Sequence, residues 1–132
     1  MTKNINREKL IKYWIDSSDK DYKTMIDLYN TKNYHWSLFI GHLVIGKILK
    51  AKYVFEKGEY PPLIHDLRRI IEQAGIEPDK EKKVILDSIT RFNINVRYDD
   101  YKQSFYKLCT EKFTTEWLEK IKEIRKWIKK QL

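Results

Sequence analysis

The chain has 132 residues, of which 42% are hydrophobic and 35% are charged, and its formal net charge is +8. A domain of this size buries roughly two-thirds of its unfolded surface, so we expect one domain with a real core over residues 1–132. Only four glycines and three prolines occur, which argues against a β-sandwich or barrel with many tight turns.

The first predicted helix covers about residues 7–29. One of its faces repeats at alternating spacings of four and three, and its members are Trp14, Ser18, Asp21, Met25 and Leu28. A carboxylate on a core face must be paired or hydrogen-bonded, because an unpaired buried charge is costly. We therefore expect Asp21 either to form a structural salt bridge or tyrosine contact, or to orient an arginine in a site.

The second predicted helix covers about residues 34–57 and is the most apolar part of the chain. Its apolar residues lie nearly all round it, so it should contact several elements or a second subunit. Gly41 and Gly46 each cost about 1 kcal/mol relative to alanine, and their small size allows close helix approach. His35 and His42 are two turns apart, too far for a direct metal pair, and no HExxH pattern occurs. We expect a packed, hydrogen-bonded His42 and no metal.

Three further helices follow the GEYPP segment at residues 58–62. The third covers about residues 63–74, with an apolar stripe that contains Leu63. The fourth runs from about Asp79 to near Arg97, and the last begins after a cap at Thr114 or Thr115. The stretch between them is ambiguous, with a short helix around residues 103–109. Together these elements predict an all-α, up-and-down bundle of about five helices.

The net charge of +8 suits an anionic partner, and equally a lysine-rich surface that only aids solubility. No run of about 18 apolar residues could cross a membrane. The N-terminal residues carry no apolar signal segment, which favours a cytoplasmic protein. The single cysteine, Cys109, excludes an internal disulfide and a cysteine-based zinc site.

The least ordinary stretch is RFNINVRYDDY, at residues 91–101. Arg91 and Arg97 are six residues apart, with Asn93 between them and Tyr98 directly after. Arginines form charge-assisted, often bidentate contacts with phosphate. A tyrosine can donate a hydrogen bond or stack on a base, so this segment is a candidate anion site.

Four features together resemble the HEPN domain family. The first is the helix 1 face already described. Lys47-Ile48-Leu49-Lys50-Ala51 resembles the K-A-L-K-A of that family, His65-Asp66-Leu67 its H-D-L, and Asn93 followed by Arg97-Tyr98-Asp99 its R-Y-P-D. There are two departures. Gly46 stands where the family often has a glutamate, and an aspartate stands where its proline would follow the Arg-Tyr pair.

The resemblance implies a helical bundle, a homodimer, and two branches of activity. Some HEPN families are metal-independent ribonucleases, whose motif is an arginine, four to six residues, then a histidine near the end of the fourth helix. Here Arg91 can supply the arginine, but Arg97 stands six residues on, in place of the histidine. Arginine stays protonated at neutral pH and is a poor general base. The resemblance therefore implies the non-nuclease branch, with no catalytic residue and no cofactor.

The preferred function is a non-catalytic module that binds nucleotides or RNA, or that serves as the accessory subunit of a minimal nucleotidyltransferase. The predicted phosphate contacts are Arg91, Arg97, Tyr98 and Lys47. Asp21 would orient Arg97, and Asn93 and His42 would support the site. Three alternatives remain open: a structural Arg97–Asp21 network without a ligand, a ribonuclease toxin with a degenerate motif, and a pure interaction protein whose +8 charge meets an acidic partner.

Overall fold

The computed structural model describes the backbone of residues 6–132, and the side chains of residues 6–98 and 103–132. Within that part of the chain every regular element is a helix, which confirms the all-α prediction. The helices are α1 (Arg7–Asn30), α2 (Tyr34–Lys57), α3 (Leu67–Gln73), α4 (Lys80–Arg97), α5 (Asp99–Leu108) and α6 (Glu111–Lys129). None of the helices described is both long and apolar enough to cross a membrane.

The ambiguous stretch before the last helix forms α5, so the bundle has six described helices rather than about five. Tyr98 separates α4 from α5, because its extended backbone, with φ −113° and ψ 125°, cannot continue a helix. The predicted end of the fourth helix near Arg97 is confirmed. The short helix begins earlier than predicted, at Asp99 instead of near residue 103.

The predicted start of α3 is wrong. The helix begins at Leu67, because the side chain of Asp66 accepts a hydrogen bond from the Arg69 backbone N–H at 3.3 Å and so caps it. The Leu67 backbone N–H, which has no partner within the helix, donates to the Thr90 hydroxyl at 3.1 Å. Leu63 lies before the helix and is 80% exposed, so it is not part of a buried stripe.

The predicted cap of the last helix is also wrong. Thr110 caps α6, and its hydroxyl accepts from the Phe113 backbone N–H at 3.2 Å. Thr114 is fully buried inside the helix. Thr115 hydrogen-bonds Tyr29 through its hydroxyl at 2.6 Å and donates to the Glu111 carbonyl at 2.7 Å.

The apolar helix α2 is the centre of the bundle, and it contacts α1, α3, α4, α5 and α6. Its buried residues include Leu38, Val44, Ile45, Ile48 and Leu49. Gly41 permits a close approach, since a Cβ atom there would lie 2.6 Å from Cδ1 of Ile121. At Gly46 the nearest atom would be Leu67 Cδ2 at 3.6 Å, an ordinary contact distance.

Two serine hydroxyls join α1 to α2. Ser18 donates to the Val44 carbonyl at 2.8 Å, and Ser37 donates to the Met25 carbonyl at 2.8 Å. Both serines are fully buried, so each hydroxyl satisfies its hydrogen-bonding need against the backbone of the facing helix. This pairing fixes the register of α1 on α2 and thereby decides which α1 side chains meet the lysines of α2.

Candidate anion-binding site

His42 lies at the centre of the polar region formed by α2, the start of α3 and the end of α4. Its side chain is 2% exposed, and its Nε2 lies 2.8 Å from the His65 carbonyl oxygen. A carbonyl only accepts, so Nε2 carries the proton and Nδ1 carries the lone pair. Nδ1 is buried and has no hydrogen-bond partner among the described residues. The prediction of a packed, hydrogen-bonded His42 is confirmed.

Basic groups surround this histidine. The pKa of His42 is lowered to about 4, mainly by burial and also by the neighbouring His65, Lys50 and Arg97, against the opposing effect of the hydrogen bond to the His65 carbonyl. His42 is therefore neutral at pH 7. Three basic side chains, from the α3 start, α2 and the α4 end, lie close enough to act on one buried imidazole. We call Arg97, Lys50 and His65 the basic cluster.

Arg97 is the last residue of α4, and its side chain is exposed. It forms no ion pair or hydrogen bond with the described residues. Tyr98, the next residue, is 57% exposed. Both side chains are therefore accessible to a ligand that approaches the end of α4.

Lys50 is held against α1, because its Nζ lies 5.1 Å from the centroid of the Trp14 ring. Burial and the adjacent charge of Lys47 lower the pKa of Lys50 below its ordinary range. Both causes disfavour the ammonium form, and a bound anion would offset both. Lys50 forms no ion pair with any described carboxylate.

Asp21 has Lys47 as its partner rather than Arg97. Its Oδ2 atom lies 2.7 Å from the Lys47 Nζ atom, and both side chains are about a quarter exposed. The structural salt bridge, one of the two interpretations of Asp21, is thus present, and the proposed orientation of Arg97 by Asp21 is not. The carboxylate neutralises Lys47, which leaves Lys50 as the uncompensated lysine of this pair.

The two arginines predicted for the site leave α4 in different directions. Residues six apart on an α-helix differ by about 120° around its axis, and Arg91, although exposed, has no described contact with His42. Asn93 lies one turn before Arg97 on the same side of α4 and is 6% exposed. The geometry therefore groups Asn93 with Arg97 and separates Arg91 from both.

The four predicted phosphate contacts include neither His65 nor Lys50, although Lys50 beside Lys47 could add charge if α2 and α4 are neighbours. The signals were present, because His65 opens an H-D-L pattern and Lys50 lies one turn beyond Lys47. The predicted start of α3 placed His65 inside a helix, whereas it precedes the helix and its carbonyl is therefore free to accept from His42.

A groove of about 840 Å³ lies away from the basic cluster, between α1, α4 and α6. It carries more carboxylates than lysines. Its acidic residues are Glu81, Glu111, Glu116, Glu119 and Glu123. This sign of charge opposes the binding of phosphate, so this groove is not a candidate anion site.

The HEPN domain family model matches residues 11–131, nearly the whole chain. The fold and the match define the class together: this chain belongs to the HEPN domain family, whose members are RNA-binding, nuclease or interaction modules. No curated protein and no solved structure matches the chain.

Proposed function

We propose that this HEPN domain binds RNA or a nucleotide through phosphate at the basic cluster, without cleaving it. The observation that supports the proposal is the convergence of Arg97, Lys50 and His65 on the buried, neutral His42. Neither Arg97 nor Lys50 has a carboxylate partner among the described residues. Two cations that converge from different helices without a described carboxylate partner are expected where a ligand supplies the negative charge.

Each member of the cluster offers a different contact. Arg97 can bind two phosphate oxygens at once through its planar fork, and Lys50 contributes a compact charge. Tyr98 stands beside Arg97 and can stack on a base or donate a hydrogen bond to the sugar or phosphate. His42 does not contact the ligand in this proposal, since its Nε2–H is used by the His65 carbonyl. It positions His65.

The test is to titrate a short labelled RNA and a nucleotide against four proteins: wild type and the variants Arg97→Ala, Lys50→Gln and Arg91→Ala. Loss of one charge-assisted hydrogen bond costs about 1.5–3 kcal/mol, or roughly a 10- to 150-fold weaker Kd. We expect that loss for Arg97→Ala and Lys50→Gln. Arg91→Ala is the matched control, because it removes the same side chain from another face of α4.

Equal affinity in wild type and Arg97→Ala would remove Arg97 from the site. Equal weakening by Arg97→Ala and Arg91→Ala would show that net charge, and not the cluster, governs binding. Circular dichroism of each variant separates loss of contact from loss of fold.

A ribonuclease is the second candidate, and the position of His65 favours it. The α4 motif lacks its histidine, but the ring of His65 lies 5.9 Å from the ring of His42, on which Arg97 also acts. In such a reaction His65 would take the proton of a ribose 2′-hydroxyl, whose oxygen attacks the adjacent phosphorus. The P–O5′ bond would break to leave a 2′,3′-cyclic phosphate, and the 5′-oxygen would take a proton from water. Arg97 would stabilise the negative charge on the phosphorane.

Incubation of the purified protein with RNA and a chelator separates the two candidates. Cleavage that is lost in both His65→Ala and Arg97→Ala would establish the nuclease at this cluster. Cleavage that is lost only in Arg91→Ala would place it at the degenerate motif instead. Binding without cleavage in the wild type is the result expected from the preferred proposal.

A further inference from the structure

A second basic surface lies on the other flank of α1. It is a groove of about 450 Å³ between Tyr22 of α1 and the C-terminal half of α6. The basic residues that line it are Lys122, Arg125, Lys126, Lys129 and Lys130. We call it the α6 groove.

The α6 groove is separate from the basic cluster. On one side of α1, Trp14 contacts Lys50 and Asp21 contacts Lys47. On the other side, Tyr22 contacts Arg125. Tyr22 lies about 80° from Trp14 around the α1 axis, so the two surfaces use different residues of α1 and different helices packed against it.

Cations outnumber carboxylates in the groove. Asp19 is an ion-pair partner of both Arg125 and Lys129, at 3.6 Å from the latter. Lys126 and Lys130 are exposed and have no ion pair among the described residues. The surface consequently retains uncompensated positive charge directed at solvent.

Interaction with the α6 dipole explains only part of the row of basic residues that lines the α6 groove. The dipole favours cations in the last turn, which here contains Lys126 and Lys129. Lys122 and Arg125 lie further from the helix end but on the same side, at spacings of three and four residues from the others. The helix dipole therefore does not account for the whole row of basic residues along the groove.

Arg125 is fixed in place in the floor of the groove. The carbon of its guanidinium lies 4.5 Å from the centroid of the Tyr22 ring, and the side chain is 15% exposed. Its Nε is buried without a hydrogen-bond partner in the described part of the chain. A held guanidinium loses little conformational freedom when it meets an anion, which favours binding.

We propose that the α6 groove binds the phosphate backbone of a single-stranded nucleic acid. Proteins that bind single strands combine a positive groove along the backbone with an aromatic side chain in that groove, and the lysine row and Tyr22 supply both. A row of cations at regular helical spacing suits an anion that also repeats regularly. The proposal is independent of the basic cluster, and it adds a surface that only a strand longer than a nucleotide uses.

The test compares two triple variants with equal loss of charge. One is Lys126→Gln, Lys129→Gln and Lys130→Gln, in the groove. The matched control is Lys9→Gln, Lys107→Gln and Lys112→Gln, at three exposed positions outside it. The probes are a labelled 20-nucleotide oligouridine and uridine monophosphate, each titrated at several salt concentrations.

We expect the groove variant to bind the 20-mer at least tenfold more weakly at low salt, and the control to change by less than threefold. The slope of log K against log salt should fall by about two, at about 0.7 for each lost phosphate contact of a single strand. Binding of uridine monophosphate should not change in the groove variant, whereas Arg97→Ala should weaken it. A negative result for the α6 groove therefore does not count against the basic cluster, and the reverse also holds.

Three results would overturn the assignment of the groove. Equal weakening by both triple variants means that net charge alone is responsible. Unchanged binding of the 20-mer by the groove variant means that the strand does not contact α6. Polyglutamate that competes as well as the oligouridine means that the groove accepts any polyanion and is not a nucleic-acid surface.

Discussion

His42 should make the stability of this protein sensitive to mild acid. Its pKa in the folded state is about 4, against an ordinary value of 6.5. As the pH falls, the His42 imidazole is therefore protonated at a higher pH in the unfolded chain than in the folded protein, so protonation favours unfolding. The contribution of His42 to stability is complete above pH 6.5, and it is lost as the pH falls from 6.5 towards 4.

The size of the effect follows from the two pKa values, 6.5 and about 4. At about 1.4 kcal/mol for each pH unit, the full difference is about 3 kcal/mol. About 2 kcal/mol of it falls between pH 7 and pH 5, where most carboxylates are still ionised. A loss of that size is a large fraction of the net stability of a small domain.

The perturbation that isolates this effect is His42→Gln. The amide nitrogen of glutamine takes the place of Nε2 and can still donate to the His65 carbonyl, but the side chain does not titrate. Urea unfolding of both proteins at pH 7, 6 and 5, followed by circular dichroism, gives the two stability profiles. The wild type should lose about 2 kcal/mol more than the variant between pH 7 and pH 5. Parallel profiles would refute the argument, because all other titrating groups are common to both proteins.

Three further predictions concern packing, capping and reactivity. Gly41→Ala should lower the free energy of unfolding by up to about 2 kcal/mol, because overlap of its Cβ with Cδ1 of Ile121 costs about 1–3 kcal/mol and the gain in helix propensity offsets about 1 kcal/mol. Gly46→Ala gains the same propensity without the overlap, so it should be neutral or raise the free energy of unfolding by up to about 1 kcal/mol. Thr110→Ala should cost about 1 kcal/mol, since it removes the α6 cap. Burial raises the pKa of Cys109 to about 12, so its thiol should react with an aromatic disulfide reagent at pH 8 only after unfolding.

Each of these three predictions would be contradicted by one measurement. Equal effects of alanine at the two α2 glycines would contradict the close approach at Gly41. Unchanged stability of Thr110→Ala in urea unfolding would mean that the capping bond contributes nothing. A Cys109 that reacts equally fast with and without urea would show that its thiol is accessible in the folded protein.

The helices whose ends carry strong local signals were predictable from sequence. The predicted end of α2 is confirmed because Gly58 ends the helix, with φ 66° in the left-handed region that glycine adopts without strain. The start of α3 was not predictable in this way, since Leu63 extends the apolar pattern backwards. The start of α3 at Leu67 is established only by the capping bond of Asp66 and the exposure of Leu63.

Tertiary contacts also decided the cap of α6. The prediction named Thr114 or Thr115, and Thr110 has the same capping preference, so local preference does not distinguish the three. Thr114 is buried, and Thr115 is used by Tyr29. Both are therefore fixed inside the helix by contacts that no local pattern reveals.

The contacts around the candidate site were predictable only in part, for the same reason. Helical spacing identified the α1 face that carries Asp21, but spacing cannot say which residue faces it across the bundle. The register of α1 on α2 places Lys47 there. The position of Arg97 at the end of α4 was predictable, whereas its nearness to His42 depends on the packing of three elements.

The serine-linked pairing of α1 with α2 has a consequence for the order in which the site assembles. A turn of three residues joins these helices, so closing them costs little chain entropy. Contacts between sequence neighbours form fast, and we expect this helical hairpin to fold before the rest. The Trp14–Lys50 and Asp21–Lys47 contacts belong entirely to the hairpin, while His65 and Arg97 arrive with later elements. Local opening of α3 or of the α4 end would thus dismantle the anion site while the hairpin stays folded.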